Sequence, residues 1–434
     1  MAEEKRIILS AKDVEVQFRV RKNYLTAIRG VSLDLYEGET FAIVGESGSG
    51  KSVFTKTFTG MLESNGRITN GSIMFYGRNL PQTEPADETA EPVADEVTET
   101  VADETTAPAA EEETRKTDTV SPVNEETEAA APVSPEGENG AETAEPAVEE
   151  PQGIDLVQLR TDEDWEGIRG AKISTVFQDP MTSLNPIRTI GAQIVEVIEK
   201  HQKISKQEAK EQAIQMMTRV GIPNAADRFD EYPFQYSGGM RQRIVIAIAL
   251  SCHPEILICD EPTTALDVTI QAQIIQLIKD LQKELGFTTV YITHDLGVVA
   301  KVADRVGVMY GGQIVEYGTV EEIFYDPRHP YTWALLSSLP QLGVKGEDLY
   351  YITGTPPSLF NRIKGDAFAP RNPKALKIDF AKEPPFFRVT DTHYAKTWLL
   401  DPRAPALEKP EVIQNLHEKI AQMTGKGGAF YVDE

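Results

Sequence analysis

Phe41-Ala-Ile-Val-Gly45-Glu-Ser-Gly-Ser-Gly-Lys51-Ser52 is the stretch whose reading decides the fold. Four consecutive apolar residues read as a strand buried on both faces, as interior strands of parallel sheets are. The next eight residues fit G-x-x-x-x-G-K-[ST]. Glycines let the backbone curl until successive N–H groups point inward at an anion. A helix starting there adds the positive end of its dipole. Lys51 then reaches the β- and γ-phosphates, and the Ser52 hydroxyl is placed to ligate Mg²⁺. Gly45, Glu46, Ser47, Gly48, Ser49, Gly50, Lys51 and Ser52 are therefore the candidate phosphate-binding residues.

Working outward, Ile256-Leu-Ile-Cys259 and Thr289-Val-Tyr-Ile292 repeat the short apolar run. Helical patterns lie between them. Ser205 and Glu208 form a capping box ahead of Ala209, Ala213, Met216 and Val220, with Gly221 and Pro223 as the stop. Ile270, Ile274, Leu277, Ile278, Leu281 and Leu285 make a stripe that ends at Gly286. This alternation predicts an α/β fold with a parallel sheet. The run at Ile256 ends in Asp260-Glu261, which the fold class brings to the sheet edge beside the phosphate loop. There Asp260 can hold Mg²⁺ through water, and Glu261 can orient or deprotonate an attacking water.

The chain of 434 residues has a formal charge of −25, and the charge is concentrated. Residues 81–152 hold 22 acidic side chains against Arg115 and Lys116, with no Leu, Ile, Met or aromatic residue. Such a segment cannot bury enough apolar surface to offset its ordering entropy, so it is expected to be a disordered, solvated insertion. An interaction tail is the alternative. The remainder is only mildly acidic and shows no basic stripe of the kind nucleic-acid binders carry. Cys252 and Cys259 cannot make a disulfide framework, which suits a reducing compartment. Met1 to Lys12 has no apolar signal region, and runs such as Ile244 to Leu250 are too short to span a bilayer. A soluble cytosolic chain is expected, one that can still dock on a membrane protein.

Tyr236-Ser-Gly-Gly-Met240-Arg-Gln-Arg243 places an N-cap serine and two glycines before an apolar run. Alone it is either an ordinary capped helix or a second anion site. With its company it resembles the signature of ATP-binding cassette transporter subunits. Gln178 in Phe177-Gln-Asp-Pro-Met-Thr-Ser-Leu-Asn-Pro186 is similar to the family's Q-loop. Thr264-Ala-Leu-Asp267 resembles its D-loop, and His294 in Ile292-Thr-His-Asp295 its switch histidine. The finer resemblance is to D-type ATPase subunits of Gram-positive oligopeptide permeases. It rests on Asp179 to Pro186, Met240 to Arg243, Pro327-Arg-His-Pro-Tyr-Thr332, Gly354-Thr-Pro-Pro357 and Phe368-Ala-Pro-Arg371. It spans nearly the whole chain except 81–152, which departs from the family pattern.

The resemblance implies a phosphate-loop NTPase cassette, with a RecA-like core, an antiparallel β-subdomain and a helical subdomain near 187–235. The expected pieces are 1–80, the insertion 81–152, the rest of the cassette at 153–329, and a small C-terminal accessory domain at 330–434 packed on a partner cassette. It implies ATP and Mg²⁺ as ligands. ATP would be held between one chain's phosphate loop and Ser237, Gly238, Gly239 and Met240 of the other, with Asp267 beside them. Glu261, His294 and Gln178 would be catalytic, and Ser52, Gln178 and Asp260 would hold the metal. Tyr24 is the candidate for stacking on adenine, with Phe18 the runner-up; a core or turn aromatic is the other reading. The implied partners are a related F-type ATPase subunit in a heterodimer, two transmembrane permease subunits and an extracellular peptide-binding lipoprotein. The implied location is peripheral, at the cytoplasmic face of the membrane, with peptide import as the function.

Many relatives bind an iron–sulfur cluster through four C-terminal cysteines. The matching positions here are Asp366, Asn372, Asp379 and Thr397, and cluster ligation needs thiolates, so no iron–sulfur cluster is expected. Cys252 and Cys259 read as buried apolar residues, and Trp333 and Trp398 as core anchors. The competing function is a non-transport cassette ATPase acting on nucleic acid or the ribosome. A single cassette and the lack of a basic surface weigh against it. Intact Lys51, Asp260, Glu261 and His294 weigh against a catalytically dead regulator.

Overall fold

Successive residues of a strand face opposite sides of its sheet, so a continuous apolar run needs a core on each side. That is how the three short runs are used. Phe41 and Ile43 join one buried cluster with Ile256, Ile258, Val290 and Ile292. Ala42 and Val44 join the other with Leu257, Cys259 and Tyr291. The computed structural model describes residues 5–78, 80, 153–264, 266–338, 352–406 and 409–414; the expected insertion 81–152 lies outside them.

The described strands are β1 (Ile7–Val20), β2 (Asn23–Tyr36), β3 (Thr40–Val44), β4 (Gly66–Phe75), β5 (Ile154–Asp155), β6 (Ile173–Val176), β7 (Ile256–Asp260), β8 (Thr288–Ile292), β9 (Arg305–Tyr310), β10 (Gln313–Thr319), β11 (Phe387–Arg388) and β12 (Tyr394–Ala395). The larger sheet runs β11-β12-β10-β9-β3-β8-β7-β6. From β9 to β6 the strands are parallel. β10, β12 and β11 continue antiparallel. Ile43 pairs with Ile292, and Ile292 with Asp260, so β3, β8 and β7 finish along one edge. A smaller antiparallel sheet, β2-β1-β4-β5, closes over the first cluster. Phe54 and Phe58 pin the helix after β3 into that cluster, rings edge to face at 5.0 Å. Each such buried aromatic contributes about 1.5–3 kcal/mol of apolar transfer.

Helices Ile190–His201, Lys206–Arg219 and Ala225–Arg228 fill the expected helical region. The Ser205–Glu208 capping box is formed, and Gly221 stops that helix at φ 79°. Helix Val268–Leu285 ends at Gly286 with φ 74°, a left-handed cap that glycine adopts without steric cost.

The C-terminal region is fastened to the core sheet. β12 pairs with β10 and extends the core sheet, and Ala367, Phe368 and Ile413 belong to the larger cluster. Among the described residues it packs on its own chain. Its fastening is a fully buried carboxylate, Glu316 on β10. Glu316 Oε1 accepts from Arg328 N at 2.5 Å and faces His393 Nε2 at 2.8 Å, while Oε2 accepts from His329 N at 3.0 Å. Trp333 and Trp398 are buried, their indole N–H groups donating to Pro327 O and Lys382 O, each at 2.8 Å. Asp366, Asn372, Asp379 and Thr397 each order the local backbone. Asp366 Oδ1 accepts from Phe368 N, Asn372 Oδ1 from Lys374 N, Asp379 Oδ2 from Leu376 N and Thr397 Oγ1 from Leu399 N. Cys259 is buried and its thiol is pushed up by burial, whereas Cys252 is only part-buried, with Sγ 3.6 Å from Val197 O.

Candidate functional site

The loop after β3 curls as its glycines require. Gly45, Gly48 and Gly50 have φ of 151°, 78° and 105°. A Cβ on Gly45 would lie 2.1 Å from Met309 O, so no side chain fits there. Gly45→Ala is therefore expected to displace the loop and weaken binding of a fluorescent ATP analogue at least about tenfold, of the order of one lost charge-assisted hydrogen bond. A folded Gly45→Ala chain with wild-type affinity would refute this packing. Helix Lys51–Lys56 starts at Gly50. Lys51 Nζ donates to Gly45 O at 2.8 Å and Glu46 O at 3.0 Å, and burial draws its pKa below the usual lysine value.

Asp260 and Glu261 arrive at the same edge from β7. Ser52 Oγ donates to Asp260 Oδ1 at 2.9 Å. Burial lifts the Asp260 carboxyl above the ordinary range, against the Ser52 hydrogen bond. Glu261 has φ 47°, a sparsely populated conformation for a non-glycine residue, and such strain gathers at functional sites. Its N–H donates to Ile292 O at 2.9 Å, which locks it to the end of β8. Three side chains then converge on its carboxylate. Gln178 Nε2 donates to Oε2 at 3.2 Å and Thr264 Oγ1 to Oε2 at 2.9 Å, while His294 Nδ1 lies 3.0 Å from Oε1. Burial raises this carboxyl, but the bonds from His294 and Thr264 outweigh it and hold it below the ordinary range.

The Ser52 hydroxyl and the Asp260 carboxylate form a hard oxygen pair. That suits Mg²⁺, which takes one or two protein oxygens and leaves its other positions to water and phosphate. The described residues contain no cluster of three or more His, Cys, Asp or Glu that would hold a metal unaided.

The signature lies elsewhere on the chain. Ser237 caps helix Gly238–Leu250 by accepting from Met240 N at 3.3 Å. Ser237 and Gly238 are exposed, and Gly239 sits so close to Ile270 that a Cβ would meet its Cγ2 at 2.7 Å. Asp267 caps helix Val268–Leu285 through Ile270 N at 3.0 Å. Tyr24 is 48% exposed at the β1–β2 hairpin, with Arg67 over its ring at 5.7 Å. Phe18 is 8% exposed and packed in the core against Gly66, which removes it as a stacking surface. β2 carries Ala27 past Gly50, and Tyr24 lies three residues further along, about 10 Å at strand rise.

Two partners escape sequence reading. Thr264 stands three residues after Glu261, a spacing that suits a hydroxyl reaching back, so it had a local signal. Arg371 had none. Its guanidinium grips Glu46, 325 residues away, with Nη1 to Oε2 at 2.6 Å and Nη2 to Oε1 at 3.0 Å.

Residues 28–136 and 145–264 match the family described as ABC transporter, and residues 315–378 match the oligopeptide/dipeptide transporter C-terminal region. The chain is 56% identical over 425 residues to the oligopeptide transport ATP-binding protein AmiE of Streptococcus pneumoniae, covering 98% of each chain. It is 45% identical over 416 residues to the oligopeptide transport ATP-binding protein OppD of Bacillus subtilis, covering 95% of each. It is 48% identical over 426 residues to the dipeptide transport ATP-binding protein DppD of Lactococcus lactis subsp. cremoris, covering 98% of this chain and 99% of that one.

Proposed function

The chain belongs to the ABC transporter family, and from that premise we propose that it is the ATP-hydrolysing subunit of an importer that drives oligopeptides across the cytoplasmic membrane. The observation that supports this most directly is the convergence of Gln178, Thr264 and His294 on Glu261, beside the Ser52–Asp260 pair and the curled glycine loop. The backbone N–H groups of Gly45 to Ser52 and the Lys51 ammonium bind the β- and γ-phosphates. Ser52, Asp260 and Gln178 would hold Mg²⁺, which would supply positive charge to neutralise that developing on the phosphates. Glu261 takes the proton from the attacking water, and His294 and Gln178 fix its carboxylate at the γ-phosphate. Tyr24 stacks on adenine.

Ser237 and Gly238, exposed at the start of helix Gly238–Leu250, would close with Gly239 and Met240 on the nucleotide of a second cassette, with that cassette's signature completing the site here. A γ-phosphate gripped from both sides gives the closed pair differential binding energy, which is what shifts a conformational equilibrium. The second cassette is a related F-type subunit. Two transmembrane permease subunits and an extracellular peptide-binding lipoprotein complete the importer. No helix among the described residues is long and apolar enough to cross a membrane, which fits a peripheral subunit at the cytoplasmic face.

Lys51→Ala in the assembled importer tests the reading. It is expected to abolish ATP-dependent uptake of a labelled oligopeptide into proteoliposomes, with loss of ATP binding in the same preparation. Uptake that continues at the wild-type rate would defeat it.

A further inference from the structure

Resting on the nucleotide site above, we propose that Arg371 is a positioning residue of that site, acting through Glu46 to withdraw a carboxylate's charge from the phosphate cradle. Glu46 is the second residue of the loop, and its carbonyl accepts from the Lys51 ammonium. An ionised side chain at that place opposes a polyphosphate through close, partly buried charge repulsion.

The geometry removes that opposition. Arg371 meets both Glu46 oxygens in a fork, the strongest arrangement for a carboxylate. Its side chain is only 5% exposed. Three further acceptors fix it: Tyr310 Oη at 3.2 Å, Thr353 O at 3.0 Å and Ile352 O at 3.4 Å. The Glu46 backbone is held as well, its N–H donating to Tyr331 Oη at 2.8 Å. Tyr310, Tyr331 and Phe368 pack ring against ring at 4.5–5.3 Å behind these contacts. The Glu46 carboxylate and N–H are thus held by Arg371 and Tyr331, and the C-terminal region is a working wall of the nucleotide site. The same stretch reaches the other end of the site, where Thr26 N donates to Leu359 O at 3.1 Å, two residues from Tyr24.

The test is titration of the full-length chain with a fluorescent ATP analogue at low and high salt. Arg371→Ala is expected to raise Kd about tenfold, equivalent to about 1.4 kcal/mol. Adding Glu46→Gln to it should bring Kd back to near the wild-type value, because the offending charge is gone. Glu46→Gln alone is the reference for the double variant: adding Arg371→Ala to it should raise Kd far less than the same change does in wild type. The Arg371→Ala loss should shrink at high salt through screening. A merely structural arginine would not be rescued by a change in the loop. If Arg371→Ala does not fold, Arg371→Lys keeps a charge without the fork; its expected loss is about threefold, with the same reversal by Glu46→Gln. A folded arginine variant with wild-type Kd, or a double variant as weak as the single, overturns the inference. Lys51→Ala separates it from its premise. If wild type binds the analogue and Lys51→Ala does not, a silent Arg371 variant defeats this inference alone. If wild type fails to bind, the nucleotide reading falls and takes this inference with it.

Discussion

Glu261→Gln should leave ATP affinity near that of wild type and slow hydrolysis about 10²–10⁴-fold, the usual share of a general base. The amide is the same size and can still accept from Gln178 and Thr264, so the loop geometry survives. What it cannot do is take a proton. The wild-type carboxyl is held below the ordinary carboxylate range by His294 and Thr264, despite burial, so its basic form persists through neutral pH. The wild-type rate should therefore fall only as pH drops through that lowered pKa, and the variant should lack this acid limb. Phosphate release and nucleotide titration on one preparation separate the two effects. Undiminished hydrolysis would remove Glu261 from the chemistry.

Glu316→Ala should be the most destabilising single change in the C-terminal half. Glu316 is fully buried and serves the Arg328 and His329 N–H groups together with the His393 ring. Truncation leaves those donors in a dry interior, at a cost of about 3–5 kcal/mol by analogy with broken buried pairs. The melting temperature is expected to drop by roughly 5–10 °C, taking about 2 °C per kcal/mol for a chain of this size. His393→Ala should cost less, because Glu316 keeps both backbone donors. Calorimetry decides between them, and an unchanged melting temperature for Glu316→Ala would refute the assignment.

The parts of this molecule visible in its sequence are those governed by local patterns. The three apolar runs became β3, β7 and β8 to within a residue, because the interior of a strand with a core on each side is almost wholly apolar. Helix ends at Ser205, Gly221 and Gly286 were marked by residues whose side chain or backbone freedom does the capping. The phosphate loop, Asp260 and Glu261 were legible because the chemistry needs those types in that order. The C-terminal architecture was not. β11 and β12 are two residues long, too short for any periodicity, and their pairing is read only in three dimensions. Arg371 and Glu46 are joined because the fold brings the 369–371 turn against the loop after β3, which leaves no trace in spacing. Phe18 and Tyr24 look alike in sequence, and only burial separates them.

The pairing of β10 with β12 bears on how this protein can be cut down. A strand that loses its neighbour offers a row of bare amides and carbonyls to whatever chain drifts past, and soluble proteins guard such rows with short, aromatic-covered caps. Here the guard is two stubby strands and the stacked rings of Tyr317 and Tyr394, 5.1 Å apart. Trimming the polypeptide after β10 would strip that guard away, leaving a fragment prone to sticking to its own copies.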